Sequence, residues 1–233
     1  KSFHSSFGFF FIKRFIYISA AGADPNSPSR MLRTKWVGEQ KVREIYPDVT
    51  ILRPTTMFNT LDPNNSHQGK WGFQMKMFNR TFFRVDEANA LVQPVYNGDV
   101  ALAVVNCLKM DETIGQAYEL GGPHVYNYDE IYEQYYNVTG IEPYIIPIKM
   151  ETVLDWAHSP RLSSIYRYAG KYWMYPEFIF SETIDVTTNP NEKSFEDLYI
   201  KPISFGQKSK EYVQEILRFN SSTAEADGME TWN

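Results

Sequence analysis

Ser19 and Lys35 are the residues of this sequence whose types and spacing best fit chemistry on a bound ligand. A serine hydroxyl can polarise a carbonyl group, and a lysine ammonium can hold a ligand hydroxyl. Met31 stands one helical turn before Lys35, and its thioether is no useful proton donor or acceptor. Tyr17 lies on the strand before Ser19 and Tyr46 lies far along the helix, so neither is an obvious substitute acid. These residues predict a binding corner without a general acid.

Two elements must position this corner. Residues 15–20, FIYISA, are continuously apolar and end in small residues, which predicts a buried strand. Ser29 then follows a turn-forming stretch and is predicted to cap a helix from Arg30 to about Tyr46, which Pro47 ends. Glycine in mid-helix is unfavourable by about 1 kcal/mol relative to alanine. Gly38 therefore indicates close packing of this helix against a neighbouring element.

The rest of the first half continues the same alternation. Residues 49–53 read as a second buried strand, residues 91–96 as an extended segment and residues 116–122 as a short strand. Asp99 is expected to cap a very apolar helix, which must be largely covered. Strands alternating with helices predict an α/β fold with a parallel sheet.

Composition excludes several classes of protein. Hydrophobic residues make up 43% of the chain and charged residues 22%, as in an ordinary globular protein. A net charge of −5 without a basic stripe argues against a general nucleic-acid binder. The single cysteine, Cys107, excludes an internal disulfide and a cysteine-based metal cluster. The four histidines have no zinc-like spacing, so no metal site is predicted.

The sequence contains no glycine-rich phosphate-binding turn. Its 13 glycines include no G-x-G-x-x-G, and the single G-x-x-G at Gly69 and Gly72 is a weak signal. Without a neighbour, the strand at residues 15–20 would stand unpaired at a sheet edge, which folded proteins avoid. We therefore expect the second half of a dinucleotide-binding fold, completed by a separate chain of about 100–200 residues.

At this point the residues support a family resemblance. The segments RFIYISAAGAD, ILRPTTMFN and VQPVYNGDVA resemble the extended short-chain dehydrogenase/reductase group from its fifth strand onward. The resemblance covers residues 14–122 and continues more weakly to residue 219. The block R-x-L-R-x-K-x-x-G-E-x-x-V-R at residues 30–43 resembles the branch of nucleotide-binding accessory subunits of mitochondrial respiratory complex I. The first 14 residues depart from the family.

The resemblance implies roles for individual residues. In active members a tyrosine is the general acid, a serine polarises the substrate carbonyl and a lysine binds the nicotinamide ribose. Ser19 and Lys35 match the serine and the lysine, whereas Met31 occupies the tyrosine position. No catalytic residue is therefore expected. The cofactor-binding residues that the resemblance implies are Ser19, Lys35, Pro54, Thr55 and Thr56.

Each assignment has a structural alternative. Lys35 and Glu39 have the spacing of a surface ion pair along one helix face. Ser19 can simply end a strand, Met31 can be a packing residue near the corner, and residues 54–56 can be an ordinary exit from a strand.

The chain is expected to divide into four parts. Residues 1–14 are basic and free of acidic residues, as in part of a mitochondrial import sequence or an irregular lead-in to the first strand. Residues 15–121 form the second half of the dinucleotide-binding domain, and residues 122–219 form a small mixed α/β domain. Within the latter, the aromatic-rich segment 163–180 is either its core or an interaction surface. Residues 220–233 are a polar tail.

The sequence is compatible with two functions. The first is a non-catalytic subunit of complex I on the matrix side of the mitochondrial inner membrane. It would hold a structural dinucleotide, NADPH or else NADH, and would contact other matrix-arm subunits and the membrane surface. The second is an active NAD(P)-dependent reductase or nucleotide-sugar epimerase with a relocated acid.

Overall fold

The computed structural model describes residues 13–58, 81–85, 89–140, 142, 144–152, 155, 183–208 and 211. Several sequence predictions fall outside these residues. They concern most of the N-terminal segment, the G-x-x-G at residues 69–72, the aromatic segment 163–180 and the polar tail 220–233.

A parallel sheet of three strands carries the first half of the described chain. Its strands are β1 (Ile16–Ile18), β2 (Thr50–Pro54) and β6 (Ala117–Leu120), in the order β1-β2-β6. Both pairings are parallel. Most of β2 is buried, as expected for a parallel strand covered on both faces. The predicted α/β fold with a parallel sheet is therefore confirmed.

Helix α1 (Arg30–Ile45) connects β1 to β2. The side chain of Ser29 accepts a hydrogen bond from the backbone N–H of Leu32 at 3.4 Å, which is the predicted N-cap. The helix ends one residue before the predicted Tyr46. Leu32 and Glu39 are the residues of α1 that are fully buried, and Trp36 and Val42 are half-buried.

Helix α2 (Asn97–Lys109) connects β5 (Val95–Tyr96) to β6. Tyr96 is its N-cap, so the prediction that Asp99 caps this helix is wrong. Helical geometry begins earlier, and the Asp99 carboxylate instead accepts the backbone N–H of Ile203 at 2.7 Å. The expected covering of α2 is found on one face only. On its outer face the exposed fractions are 47% for Leu102, 41% for Val105 and 52% for Leu108.

The described residues form two main hydrophobic clusters. The first lies between the sheet and α2 and contains Leu52, Val95, Val100, Ala103, Cys107, Tyr118, Leu120, Phe195, Leu198 and Ile200. The second surrounds α3 (Tyr128–Thr139) and contains Phe58, Ala90, Val92, Tyr128, Ile131, Tyr132 and Phe205. Residues 183–208 contribute to both clusters. The predicted division at residues 121 and 122 stays a prediction.

Shorter elements complete the description. Strand β3 (Met57–Phe58) pairs with β5, and β4 (Thr81–Val85) pairs with β7 (Tyr144–Ile148), both in parallel. One-turn 3-10 helices span Asp111–Thr113 and Glu196–Leu198. None of the helices in the described part of the chain is long and apolar enough to cross a membrane.

Arg14 fastens the start of β1 to the end of α2. Its guanidinium donates to the backbone oxygen of Met110 at 3.0 Å, and also to the backbone oxygen of Cys107 and to the hydroxyl of Thr113. A cation at the C-terminal end of a helix satisfies its last carbonyl groups and interacts favourably with its dipole. This contact joins segments that are far apart in sequence.

Candidate functional site

The predicted corner lies at the carboxyl ends of β1 and β2. Ser19 follows β1 and donates its backbone N–H to the oxygen of Leu52 at 2.7 Å. Two residues on, the N–H of Ala21 bonds the oxygen of Pro54 at 2.9 Å. In open parallel sheets, ligands bind at this edge. The structure thus brings the predicted residues of both strands to one place.

The Ser19 hydroxyl is a buried polar group in need of a partner. The residue is 4% exposed, and its Oγ has no hydrogen-bond partner in the described part of the protein. An unpaired buried hydroxyl is unfavourable by about 1–3 kcal/mol. A carbonyl or hydroxyl group of a ligand at this position would recover that energy.

Lys35 reaches the same strand end from α1. Its Nζ donates to the backbone oxygen of Ile18 at 3.1 Å. Phe15 and Ser19 bond β2 through their backbone groups, and successive residues of a strand point their N–H and C=O to opposite sides. The carbonyl of Ile18 therefore faces the other edge of β1, where the described residues supply no strand. Lys35 covers one polar group of that open edge.

The alternative that Lys35 forms a surface pair with Glu39 is wrong. Glu39 is 0% exposed. Its carboxylate binds the guanidinium of Arg53 on β2, with contacts of 2.9 Å from Nε and 2.7 Å from Nη2. The spacing along α1 suggested a solvent-exposed pair, but the helix turns Glu39 toward the sheet.

Met31 lies on α1 one turn before Lys35 and is 51% exposed. About half of its side chain is thus unpacked within this chain, and its role as a packing residue near the corner stays a prediction. Tyr17 cannot replace it as an acid, because its hydroxyl lies against Gly38 on the inner side of α1. The ring of Tyr46 contacts Phe15 edge-on, with centroids 5.9 Å apart. The described corner has no tyrosine in the position of a general acid.

The exit from β2 is held mainly by bonds within the protein. Thr55 is buried; its N–H bonds the oxygen of Leu120 at 3.0 Å, and its hydroxyl donates to the backbone oxygen of Gln93. The oxygen of Thr56 accepts the N–H of Val95 at 3.0 Å. The Thr55 hydroxyl is therefore committed to the fold, while the side chain of Thr56 stays partly exposed. This favours the structural alternative for Thr55.

Sequence reasoning missed the charged network behind the corner. Arg53 also lies 3.8 Å from Glu119 on β6, measured from Nη1 to Oε1. The other Glu119 oxygen accepts the N–H of Asn189 at 2.7 Å. The hydrogen bond that Arg53 donates to Glu39 raises the pKa of Arg53, while burial raises the pKa of Glu119. The one available signal was a charged residue, Arg53, within an otherwise apolar strand.

The described residues contain no group of three or more histidine, cysteine, aspartate or glutamate side chains that could hold a metal ion. The polar groups available at the strand ends are the hydroxyls of Ser19 and Thr56, the ammonium of Lys35 and backbone amides. This donor set suits a ligand with hydroxyl and carbonyl groups.

Comparison with known proteins identifies relatives in sequence. No family model matches the chain. It is 40% identical over 132 residues to a mitochondrial protein of Arabidopsis thaliana named NADH dehydrogenase [ubiquinone] 1 alpha subcomplex subunit 9; the match covers 54% of this chain and 31% of that protein. It is 28% identical over 218 residues to the mitochondrial NADH-ubiquinone oxidoreductase 40 kDa subunit of Neurospora crassa, covering 87% of this chain and 51% of that protein. The chain thus spans about half, or less, of these two curated relatives.

Solved structures show the same fold at low identity. Triphenylmethane reductase from Citrobacter sp. superposes with a TM-score of 0.62 at 14% identity, covering 87% of this chain and 66% of that chain. Other structural neighbours are reductases and nucleotide-sugar epimerases. The chain is therefore similar in sequence to the alpha subcomplex subunit 9 of mitochondrial NADH dehydrogenase, and its fold is similar to that of reductases and nucleotide-sugar epimerases of known structure.

Proposed function

We propose that the protein is a non-catalytic accessory subunit of mitochondrial NADH:ubiquinone oxidoreductase, or complex I. The two sequence relatives described above are named as subunits of that enzyme. The single observation that carries the non-catalytic part is Met31, which stands where a reductase of this fold needs a proton donor. We place the protein on the matrix side of the inner membrane, in contact with other matrix-arm subunits and with the membrane surface.

In this proposal the corner holds a dinucleotide for structural reasons. Ser19 and Lys35 fit such a ligand, because one has an unpartnered buried hydroxyl and the other an ammonium at the same strand end. A lysine has three donors; one bonds Ile18, so two are available for ribose hydroxyls. Thr56 and the backbone after Pro54 would line the nicotinamide end. We propose NADPH as the ligand, with NADH as the alternative.

The phosphate-binding half of the site must pair with the open edge of β1. Next to that edge Phe15 is 39% exposed and Ile18 is 36% exposed. An apolar parallel strand of this kind needs neighbours on both sides. We propose that a separate polypeptide carrying the glycine-rich turn supplies the next strand. The sheet would then enclose the dinucleotide between the two halves.

The test is to express the chain together with the candidate half and to analyse the nucleotide that copurifies, by mass spectrometry of the denatured protein. We expect stoichiometric NADPH or NADH, reduced by Lys35→Ala. Lys41→Ala, on the exposed side of the same helix, is the matched control. Full occupancy by the nucleotide in the Lys35→Ala protein would show that Lys35 is not a binding residue. Protein-dependent turnover of NAD(P)H with a carbonyl substrate would favour the active reductase instead, a reading that the retained Ser19 and Lys35 keep open.

A further inference from the structure

We propose that Glu39 is a positioning residue for the ligand site. Through Arg53 it fixes α1 on the sheet, so that the ammonium of Lys35 lies at the end of β1. This inference rests on the proposed function, in which Ser19 and Lys35 contact a bound dinucleotide. Glu39 itself does not reach that ligand, because it is wholly buried on the inner side of α1.

The ion pair between Glu39 and Arg53 has a geometry that fixes direction as well as distance. Two guanidinium nitrogens meet two carboxylate oxygens, at 2.9 Å for Nε to Oε1 and 2.7 Å for Nη2 to Oε2. Such a two-point contact between planar groups permits little sliding or rotation. It therefore determines both where α1 lies along β2 and how the helix is rotated about its axis.

Arg53 is itself held from a second side. Glu119 lies opposite Arg53 in the register of β2 and β6, with 3.8 Å between Nη1 and Oε1. Its other oxygen is bound to the backbone of Asn189. The contact that α1 makes is thus anchored in two strands and in the segment after residue 183. A displacement of α1 would have to break this anchor.

Apolar packing fixes the orientation of α1 only in part. Leu32 is its single fully buried apolar side chain in the structure, while Trp36 and Val42 are half-buried. Gly38 adds a close approach to β1 that a larger residue would not permit. These contacts are not directional, whereas the two-point contact of Glu39 is. The ion pair therefore supplies the directional part of the orientation of α1.

The site depends on that orientation. Lys35 precedes Glu39 by four residues, about one helical turn, so both side chains lie on neighbouring parts of one helix face. With Glu39 held on Arg53, the Lys35 ammonium meets the backbone oxygen of Ile18. A rotation by one residue, about 100°, would carry that ammonium away from Ser19 and from any ligand there.

The experiment uses this chain together with the half that completes the sheet, and titrates NADPH and NADH by isothermal calorimetry. Four proteins are compared: wild type, Lys35→Ala, Glu39→Gln and the Lys35→Ala/Glu39→Gln double variant. Glu44→Gln is the control, since Glu44 makes an exposed pair with Lys41 on the same helix at 2.8 Å. A charged hydrogen bond contributes about tenfold or more in affinity. We expect Glu39→Gln to raise the Kd by about that factor and Glu44→Gln to leave it unchanged.

The double variant separates positioning from general weakening. If Glu39 acts through Lys35, adding Glu39→Gln to Lys35→Ala produces no further loss of affinity. If the increase in Kd of the double variant equals the product of the two single increases, Glu39 acts on the fold independently of Lys35, and the proposal is overturned. An unchanged Kd for Lys35→Ala would instead show that Lys35 does not contribute to dinucleotide binding. The proposed function of the site would then be wrong, whatever the effect of Glu39→Gln.

Breaking one partner of a buried pair can also unfold a protein. A second variant therefore removes the charges together, as Glu39→Met with Arg53→Met and Glu119→Gln, and its folding is checked by near-UV circular dichroism. We expect this folded protein to bind NADPH as weakly as Glu39→Gln. Wild-type affinity in this variant would overturn the positioning role.

Discussion

The hydroxyl of Tyr17 occupies the space that a β-carbon on Gly38 would need. An alanine there would place its β-carbon 2.2 Å from that oxygen, far inside contact distance. A side chain at position 38 would force the Tyr17 ring to move, which accounts for a glycine in the middle of α1 despite its unfavourable helix propensity. Because of this close approach, the helix lies near enough to the sheet for Glu39 to reach Arg53.

We expect Gly38→Ala to lower the free energy of unfolding by about 1–3 kcal/mol, the usual effect of overpacking. Helix propensity alone would raise stability by about 1 kcal/mol, so the sign of the change decides between the two effects. Urea denaturation measures it. Tyr17→Phe in the same protein should restore part of the loss, since the nearest atom is then gone. An alanine variant as stable as wild type would contradict the close approach.

Met31 predicts the absence of reductase chemistry. The assembled protein should not oxidise NADPH or NADH with carbonyl or sugar-nucleotide substrates, because the corner has no tyrosine to act as the general acid. The measurement is absorbance at the nicotinamide band over long incubation. Turnover that disappears in the Lys35→Ala variant would contradict this prediction, since it would require an acid from another position.

Glu119 predicts a dependence of stability on pH. Burial raises the pKa of this carboxyl in the folded state, so the folded protein holds the proton more tightly than the unfolded chain. The stabilising contribution is fully present below the unfolded pKa and is lost as the pH rises through the folded pKa. Glu119→Gln should therefore gain stability relative to wild type on going from pH 4 to pH 7.

Urea denaturation of both proteins at the two pH values measures this difference. Glutamine can still accept the N–H of Asn189, so the comparison isolates the charge. Glu44→Gln, at an exposed position of α1, is the control and should show little change. A Glu119→Gln protein that loses stability relative to wild type as the pH rises would show that attraction to Arg53 outweighs burial.

Arg14 predicts a local effect at the end of α2. Arg14→Ala removes the donor to the carbonyl groups of Cys107 and Met110. Loss of a charged hydrogen bond at a partly buried position should lower the free energy of unfolding by about 1.5–3 kcal/mol. Lys13→Ala, at the exposed neighbouring position, should leave it nearly unchanged. Equal stability of the two variants in thermal unfolding would contradict the proposed cap.

The open edge of β1 predicts self-association of the isolated chain. The N–H of Ile16 faces away from β2, so Ile16→Pro removes a donor from the open edge without breaking a bond within the sheet. We expect light scattering to show association of the wild-type chain, less association of Ile16→Pro, and none after coexpression with the completing half. A monodisperse, cooperatively folding wild-type chain would mean that the sheet needs no further strand.

Local signals were sufficient for the elements around the corner. The signals of Ser29, Pro47 and the apolar run at residues 15–20 act over a few residues, and the structure has α1 and β1 where they indicate. The prediction that β1 is buried is wrong for this chain, since the strand is partly buried and Ile18 is exposed. The prediction that Asp99 caps α2 was wrong because its carboxylate accepts the backbone N–H of Ile203, which lies 104 positions away in the chain. That competition exists only in the folded protein.

The charged network could not be predicted for a related reason. Glu39 and Lys35 are ordinary helix residues with an ordinary surface spacing, and neither identity nor spacing indicates burial. Glu39 is buried because it binds Arg53, and that contact exists only when β2 lies under α1. Likewise the hydroxyl of Thr55 had a ligand-binding alternative until Gln93 was found beside it. Sequence could identify the corner, but tertiary contacts decide which of its side chains are available.

Residues 183–208 have a consequence for the order in which the protein is made. Thr188 and Asn189 bond Gln93 and Glu119 across separations of 95 and 70 residues, and the same stretch adds Phe195, Leu198 and Ile200 to the cluster over the sheet. During synthesis, a chain emerging from the ribosome has β1, β2 and β6 long before it has this cover. Until residues 183–208 arrive, the part of this cluster that Phe195, Leu198 and Ile200 cover stays open, and that part of the nascent sheet is exposed to chaperones and proteases.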